Sequence, residues 1–287
     1  IDGDNASVFN TGDMTIDGAG STAAIINGDN AELKQYGDLL VTNGAMGIIT
    51  YGESGKLTNQ GDATVRDENS IGFVVSGQHN TFSNQGSINV SLNGTGTLIS
   101  GTDSLVDLTG DINVTAAKDS DGIFRGATGV EVSGDGNTTT ITGSVNVSGD
   151  YAHDDRLGYK DVLNGVVVSG KNNTVTLDGA MNLHVGDQST VSDQILETIG
   201  LNISGSGNSV SILDGINIDY AQVEGSHSTS ATGISIDGQS AVTLSGKSTV
   251  DMTSISGGEA IMAKVKNGGS LTITDDATID INAQYIN

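Results

Sequence analysis

Cations and aromatic rings are scarce in this chain, and they gather. The stretch 116–128, AAKDSDGIFRGAT, holds Lys118, Phe124 and Arg125. The stretch 149–164, GDYAHDDRLGYKDVLN, holds Tyr151, His153, Asp154, Asp155, Arg156, Tyr159 and Lys160, and Tyr220 opens the stretch 220–232, YAQVEGSHSTSAT. Rings offer stacking surfaces, Lys and Arg offer charge contacts, and carboxylates accept hydrogen bonds. Tyr and Arg are over-represented in recognition surfaces. A second set is more regular: Asn89, Asn113, Asn146, Asn182 and Asn217 each stand three or two residues after a glycine. At strand spacing they would present a file of amides to a ligand or to a second rod, or serve as a solvated ladder that stabilises stacking.

Catalysis is the rival chemistry. Polysaccharide-cleaving enzymes work with paired carboxylates, and HDDR (153–156) is the only local candidate. Its carboxylates are adjacent in a loop, with no partner on a neighbouring strand, so no catalytic residue is assigned and the chain is read as not an enzyme. Seven aspartates (Asp13, Asp38, Asp62, Asp111, Asp219, Asp251 and Asp276) decorate one face. The calcium-binding phrase G-G-x-G-x-D does not occur, so they are read as solvated, and no metal or cofactor is assigned.

The elements that position these residues follow from glycine. Pairs nine residues apart recur at Gly3/Gly12, Gly28/Gly37, Gly52/Gly61, Gly77/Gly86, Gly101/Gly110, Gly134/Gly143 and Gly170/Gly179. Gly205/Gly215 is one residue longer, Gly238/Gly246 one shorter, and a tenth copy has Asp275 in place of its second glycine. The basic period of 24 or 25 residues signals a solenoid. Each copy carries three short segments with the period-2 spacing of strands: pairs such as Val166/Val168 before the first glycine, a column through Leu33, Leu57, Phe82, Val106, Val175 and Val210 between the glycines, and pairs such as Ile112/Val114 after the second. The expected fold is all-β: a right-handed, three-sided parallel β-helix of about ten coils, stacked at ~4.8 Å per coil. One inward column begins polar, as Asn10, Gln35, Asn59 and Asn84, and continues as Leu108, Ile141, Leu177 and Ile212; its amides are expected to bond up and down the stack. The outward column that carries the asparagines runs from Thr15, Leu40 and Thr64 to Thr249 and Thr278.

After Gly110 the spacing lengthens at one phase only, after the third strand of a coil. The extra residues are 116–128, 149–164, 186–199 and 220–232. Insertions at one phase of a solenoid emerge along one edge, so four consecutive coils are expected to build a wall of loops beside the asparagine file.

Composition sets the limits. The 287 residues include 42 Gly, no Pro and no Cys, with a formal charge of −24. Eleven cations cannot engage a run of phosphates, which disfavours nucleic acid. No apolar run reaches the roughly 18–20 residues of a membrane span. The chain starts mid-phrase at IDGDNA and is read as a single β-helical piece of a longer protein.

The repeated phrase VSG…N…T…DG…N(V/L/I), the missing Cys and Pro and the acidic charge resemble the passenger domain of a monomeric (type V) autotransporter adhesin of Gram-negative bacteria, UpaB-like in its loops along one edge. The resemblance spans the whole chain. It implies a protein held at the bacterial surface by a C-terminal β-barrel, absent from this sequence, and attachment to a host extracellular-matrix protein such as fibronectin or to a glycan such as a glycosaminoglycan. A self-associating rod that serves aggregation and biofilm growth is the alternative.

Overall fold

The computed structural model describes residues 1–151, 160–187, 195–222, 230–254 and 259–285. They form three parallel sheets and one small hairpin, with no helix. Sheet 1 lies between the paired glycines and runs through ten strands from Ser7–Asn10 to Ser270–Ile273. Sheet 2 follows the second glycine and has ten strands, from Met14–Asp17 to Thr278–Tyr285. Sheet 3 has nine, from Thr22–Ile26 to Glu259–Lys266. In each sheet a strand pairs only with its counterparts one coil before and one coil after, which is a three-sided parallel β-helix.

The inward columns are those that the period-2 pattern selects. Leu33, Leu57, Phe82, Val106, Val175 and Val210 are buried in sheet 1, and Val130/Val132 and Val166/Val168 in sheet 3. Phe73 of sheet 3 meets Phe82 of sheet 1 across the core, with ring centroids 4.8 Å apart. The polar inward column forms two pairs rather than a continuous file. Asn10 Nδ2 donates to Gln35 Oε1, and Asn59 Nδ2 to Asn84 Oδ1, both at 2.7 Å. Gln35 turns its own amide to the carbonyls of Gly12 and Gly37.

Sheet 3 carries a glycine column that the paired-glycine repeat does not include: Gly47, Gly72, Gly96, Gly129, Gly165, Gly200 and Gly233. Here the chain passes against inward side chains of sheet 2. A Cβ on Gly129 would stand 2.7 Å from Ile112 Cγ2, and one on Gly200 only 2.3 Å from Met181 Sδ. The two sheets close on each other because this position has no side chain.

The four insertions are not loops throughout. The strand of sheet 2 grows from Ile88–Val90 to Val145–Tyr151, Met181–Asp187 and Ile216–Gln222. The strand of sheet 3 grows from Ile71–Val75 to Lys160–Val168, Ile195–Ile203 and Ser230–Asp237. Leu163, Val185, Ile199, Tyr220 and Ala231, which lie in or at the edge of the insertions, are buried. The coil therefore widens, and its new interior is mainly apolar, with Thr198 and Thr232 also fully buried in it. The same lengthening continues in Lys247–Ser254 and Glu259–Lys266, one coil beyond the four that the sequence marked. Residues 116–128 differ: Ala117–Lys118 and Phe124–Arg125 pair antiparallel as a hairpin before the next strand begins at Ala127. At the C-terminal end the outward column departs from the expected register, because Thr249 pairs with Asp280 and Thr278 with Lys247.

Val175 is fully buried and Thr174 is exposed. Val175→Asp buries an unpaired charge and is expected to cost several kcal/mol, whereas Thr174→Asp leaves the melting temperature nearly unchanged. Equal losses would show a register shifted by one residue. Thr139, stacked between Val106 and Val175, is also fully buried, and its hydroxyl has no hydrogen-bond partner. Thr139→Val should raise stability by about 1 kcal/mol, read as a higher denaturant midpoint with the slope unchanged.

Candidate functional site

On the outer face of sheet 2 the asparagines stand in one file. Asn113 Nδ2 donates to Asn89 Oδ1, and Asn146, Asn182 and Asn217 each donate to the preceding member, every bond 2.9 Å long. The Thr249 hydroxyl joins at the far end by donating to Asn217 Oδ1 at 2.9 Å. Parallel pairing places identical amides one coil apart, where donor meets acceptor. From Asn113 to Asn217 one N–H of each amide is used along the file, and the other remains for an outside partner.

The first insertion meets this file. Its hairpin stands beside a groove of about 240 Å³ lined by Thr64, Asn89, Ser91, Asn113, Thr115 and Ala117. On the hairpin's other side lies a cleft of about 260 Å³ where Asn43, Asp67, Glu68 and Asn93 face Lys118 and Asp119. Asp119 shapes the hairpin. Burial pushes its carboxyl up, but the N–H groups of Ile123 and Asp121 and the Arg125 guanidinium, 2.8 Å away, together hold it below the usual carboxylate range. Lys118 Nζ sits 5.0 Å from the centre of the Phe124 ring, a cation–π arrangement.

Two of the aromatic residues expected to offer recognition surface are core residues. Tyr220 is 1% exposed, because Ile216, Ile218 and Tyr220 continue a single inward alternation. Phe124 is 8% exposed and packs with the hydrophobic core beside Ala116 and Ala127. Lys118 is exposed and Arg125 half-buried. Tyr151 and Lys160 end and begin their strands. Their side chains lie outside the described residues, as do His153, Asp154, Asp155, Arg156 and Tyr159 entirely. At the edge of the file, His184 Nδ1 and Asp219 Oδ2 are 2.9 Å apart on adjacent strands.

A second amide ladder is not among the columns that the repeat picks out. Asn80, Asn137, Asn173 and Asn208 are buried at the corner between sheets 3 and 1. Asn173 Oδ1 accepts the backbone N–H of Asn137 at 2.8 Å, and Asn173 Nδ2 donates to the Gly134 carbonyl at 2.7 Å. Asn208 repeats the arrangement towards Asn173 and Gly170. Each of these asparagines stands three residues after the first glycine of its coil, as in SGKNNT and SGSGNS, and that spacing is the signal from which the ladder could be found. The acidic residues also hold coils together. Asp13, Asp38, Asp62 and Asp111 each accept a backbone N–H from the next coil at 2.8–3.0 Å.

The chain is similar to a putative surface-exposed virulence protein. That protein, BigA of Salmonella typhimurium strain LT2, is 55% identical over 197 residues, which is 68% of this chain and 10% of BigA. The chain thus spans about a tenth of the length of the curated relative it matches. No family model matches the sequence, and no solved structure matches it.

The two asparagine ladders should separate in mutational cost. Asn173→Ala orphans the buried N–H of Asn137 and removes one of the two donors to the Gly134 carbonyl, which keeps the Lys171 N–H, and is expected to cost about 1–3 kcal/mol. Asn146→Ala, on the solvated face, should cost less than ~1 kcal/mol. Chemical denaturation of the two variants measures the difference.

Proposed function

We propose that this chain is a β-helical segment of a bacterial cell-surface adhesin, a passenger-type rod that binds a host extracellular-matrix protein or glycan. The observation that carries this reading is the 55% identity to a protein described as surface-exposed and connected with virulence. The architecture supports it. A stack of parallel coils displays one outward file of amides, and a hairpin beside that file flanks a groove lined by Asn89 and Asn113. Loops on a rigid scaffold are where recognition concentrates. Binding, rather than catalysis, is the role this reading assigns, with residues 152–159 and the groove at Asn89 and Asn113 as contact surface. Anchoring to the outer membrane through a β-barrel elsewhere in the full protein belongs to the same proposal. A second reading, a self-associating rod, draws support from the remaining N–H of each amide in the file.

Replacing residues 152–159 by a Gly-Ser segment of equal length removes His153, Asp154, Asp155, Arg156 and Tyr159 and spares the buried Leu163. On a matrix-protein and glycan array the purified parent should bind at least one component, and the variant should lose that binding at an unchanged melting temperature. A parent that binds nothing on the array but associates with itself in sedimentation would replace the adhesin reading by the self-associating one.

A further inference from the structure

The corner between sheets 2 and 3 is closed by the same tight turn in two coils, and one residue breaks its chemistry. The Ala45 N–H donates to the Thr42 carbonyl at 3.2 Å, and two coils later the Gly94 N–H donates to the Ser91 carbonyl at 3.0 Å. Met46 and Thr95, the residues that follow, both pair with Ile71, so the two turns are equivalent. The central residues of both turns are left-handed: Asn43 and Gly44 at φ 54° and 77°, Leu92 and Asn93 at φ 52° and 62°. Asn and Gly suit that conformation, whereas a bulky side chain such as leucine is strained in it. Leu92 is half-buried, yet among the described residues it is neither in the hydrophobic core nor packed against it. It lines instead the cleft of about 260 Å³ beside the hairpin. Strained residues cluster at functional sites.

The lining of this cleft is polar and nearly balanced in charge. Asp67 and Glu68 share it with Lys118, and the ion pair of Asp119 with Arg125 adds one charge of each sign. Some of these groups are already engaged. The Asp67 carboxylate accepts the Asn43 N–H at 3.2 Å, and the Lys118 ammonium lies 5.0 Å from the centre of the Phe124 ring. Others are open. Glu68 is exposed, and among the described residues neither its carboxylate nor the Asn93 amide has a hydrogen-bond partner. The cleft thus offers an acceptor at Glu68, a donor at Lys118, both at Asn93, and the aliphatic surface of Leu92 among them. Among the described residues no three carboxylate or imidazole groups converge as a cation site requires.

From this juxtaposition we infer that the corner cleft holds one uncharged sugar ring of a glycan, with hydroxyls on Glu68, Asn93 and Lys118 and a C–H face laid on Leu92. A sugar hydroxyl both donates and accepts, so it suits a lining in which donors and acceptors alternate. Charge selects neither sign, because an anion would meet Asp67 and Glu68 and a cation would meet Lys118. Size selects a single ring. The volume of about 260 Å³ lies below the roughly 300–1,000 Å³ of ordinary ligand pockets, and the cleft opens to solvent, where the rest of a glycan can continue. The inference rests on the reading that the chain binds a host component, narrows that component to a glycan, and places it on the far side of the hairpin from the groove at Asn89 and Asn113.

The test titrates the chain with the methyl glycosides of galactose, mannose and N-acetylglucosamine, followed by saturation-transfer NMR. At least one should bind with a dissociation constant of about 1 mM. Galacturonate, glucosamine and the zwitterion Ala-Ala are the charged controls and should bind more weakly. Leu92→Asn installs the residue that holds the equivalent position at Asn43. It should leave the melting temperature unchanged or raise it, while sugar binding weakens about fivefold. Glu68→Ala, at an exposed position, should also weaken binding about fivefold at an unchanged melting temperature. Undiminished binding by both variants would overturn the inference, and so would a lowered melting temperature of Leu92→Asn, which would make the leucine structural. Tighter binding of any charged control than of the neutral sugars would replace the sugar by a ligand of that charge. A parent that binds a matrix protein on the array and none of the three sugars would overturn this inference and leave the adhesin reading standing.

Discussion

Every residue in the body of this rod sits about 4.8 Å above its counterpart in the previous coil, and the rest of the structure depends on that repeat. Side chains meet their own kind. Aliphatic on aliphatic packs, and amide on amide bonds, because an amide carries both donor and acceptor. Carboxylate on carboxylate repels. The chain resolves this third case with backbone. Asp13, Asp38 and Asp62 occupy one corner in successive coils, and each is neutralised in part by an N–H from the coil above. Part of the −24 charge is thus carried on corners, and the asparagine file itself keeps uncharged residues that can stack.

How much of this is legible in the sequence depends on period. Paired glycines, the alternation of Val166 with Val168 and the column through Val175 recur in most copies, so coils, sheets and most of the register can be read directly. Errors arise where a local residue type is weighed above the alternation. By type Tyr220 suits a recognition surface, although Ile216 and Ile218 before it already set an inward beat that Tyr220 continues. Leu163 and Val185 likewise extend an existing strand rather than begin a loop. The final register slips because Gly246 follows its partner one residue early and no second glycine marks the tenth copy. The glycines of sheet 3 recur in seven successive coils from Gly47 to Gly233, and the buried Asn137–Asn173–Asn208 ladder in three. Their meaning is lateral, however: one is set by the proximity of sheet 2 and the other by corner N–H groups that take an amide oxygen of the next coil as partner, and neither neighbour is visible along the chain.

The widening of the later coils changes what an insertion means here. Adding residues at one phase has lengthened the strands of sheets 2 and 3 and enlarged the core between them. The hairpin of the first insertion shows the other solution. It is closed by Asp119 and anchored by Phe124, and it leans on the polar corners of earlier coils without lengthening the sheet.

The ladders also set how the rod bears load. Almost all hydrogen bonds between strands point along the long axis, from one coil to the next. A pull applied to the two ends therefore loads coils in series rather than shearing whole sheets at once. Each coil contacts only its neighbours, so it can detach while the remainder keeps its shape. A released turn of about 24 residues yields roughly 80 Å of chain at ~3.3 Å per residue. Under tension such a rod lengthens in steps and dissipates work at each one, and it rewinds on the intact coil beneath when the tension falls.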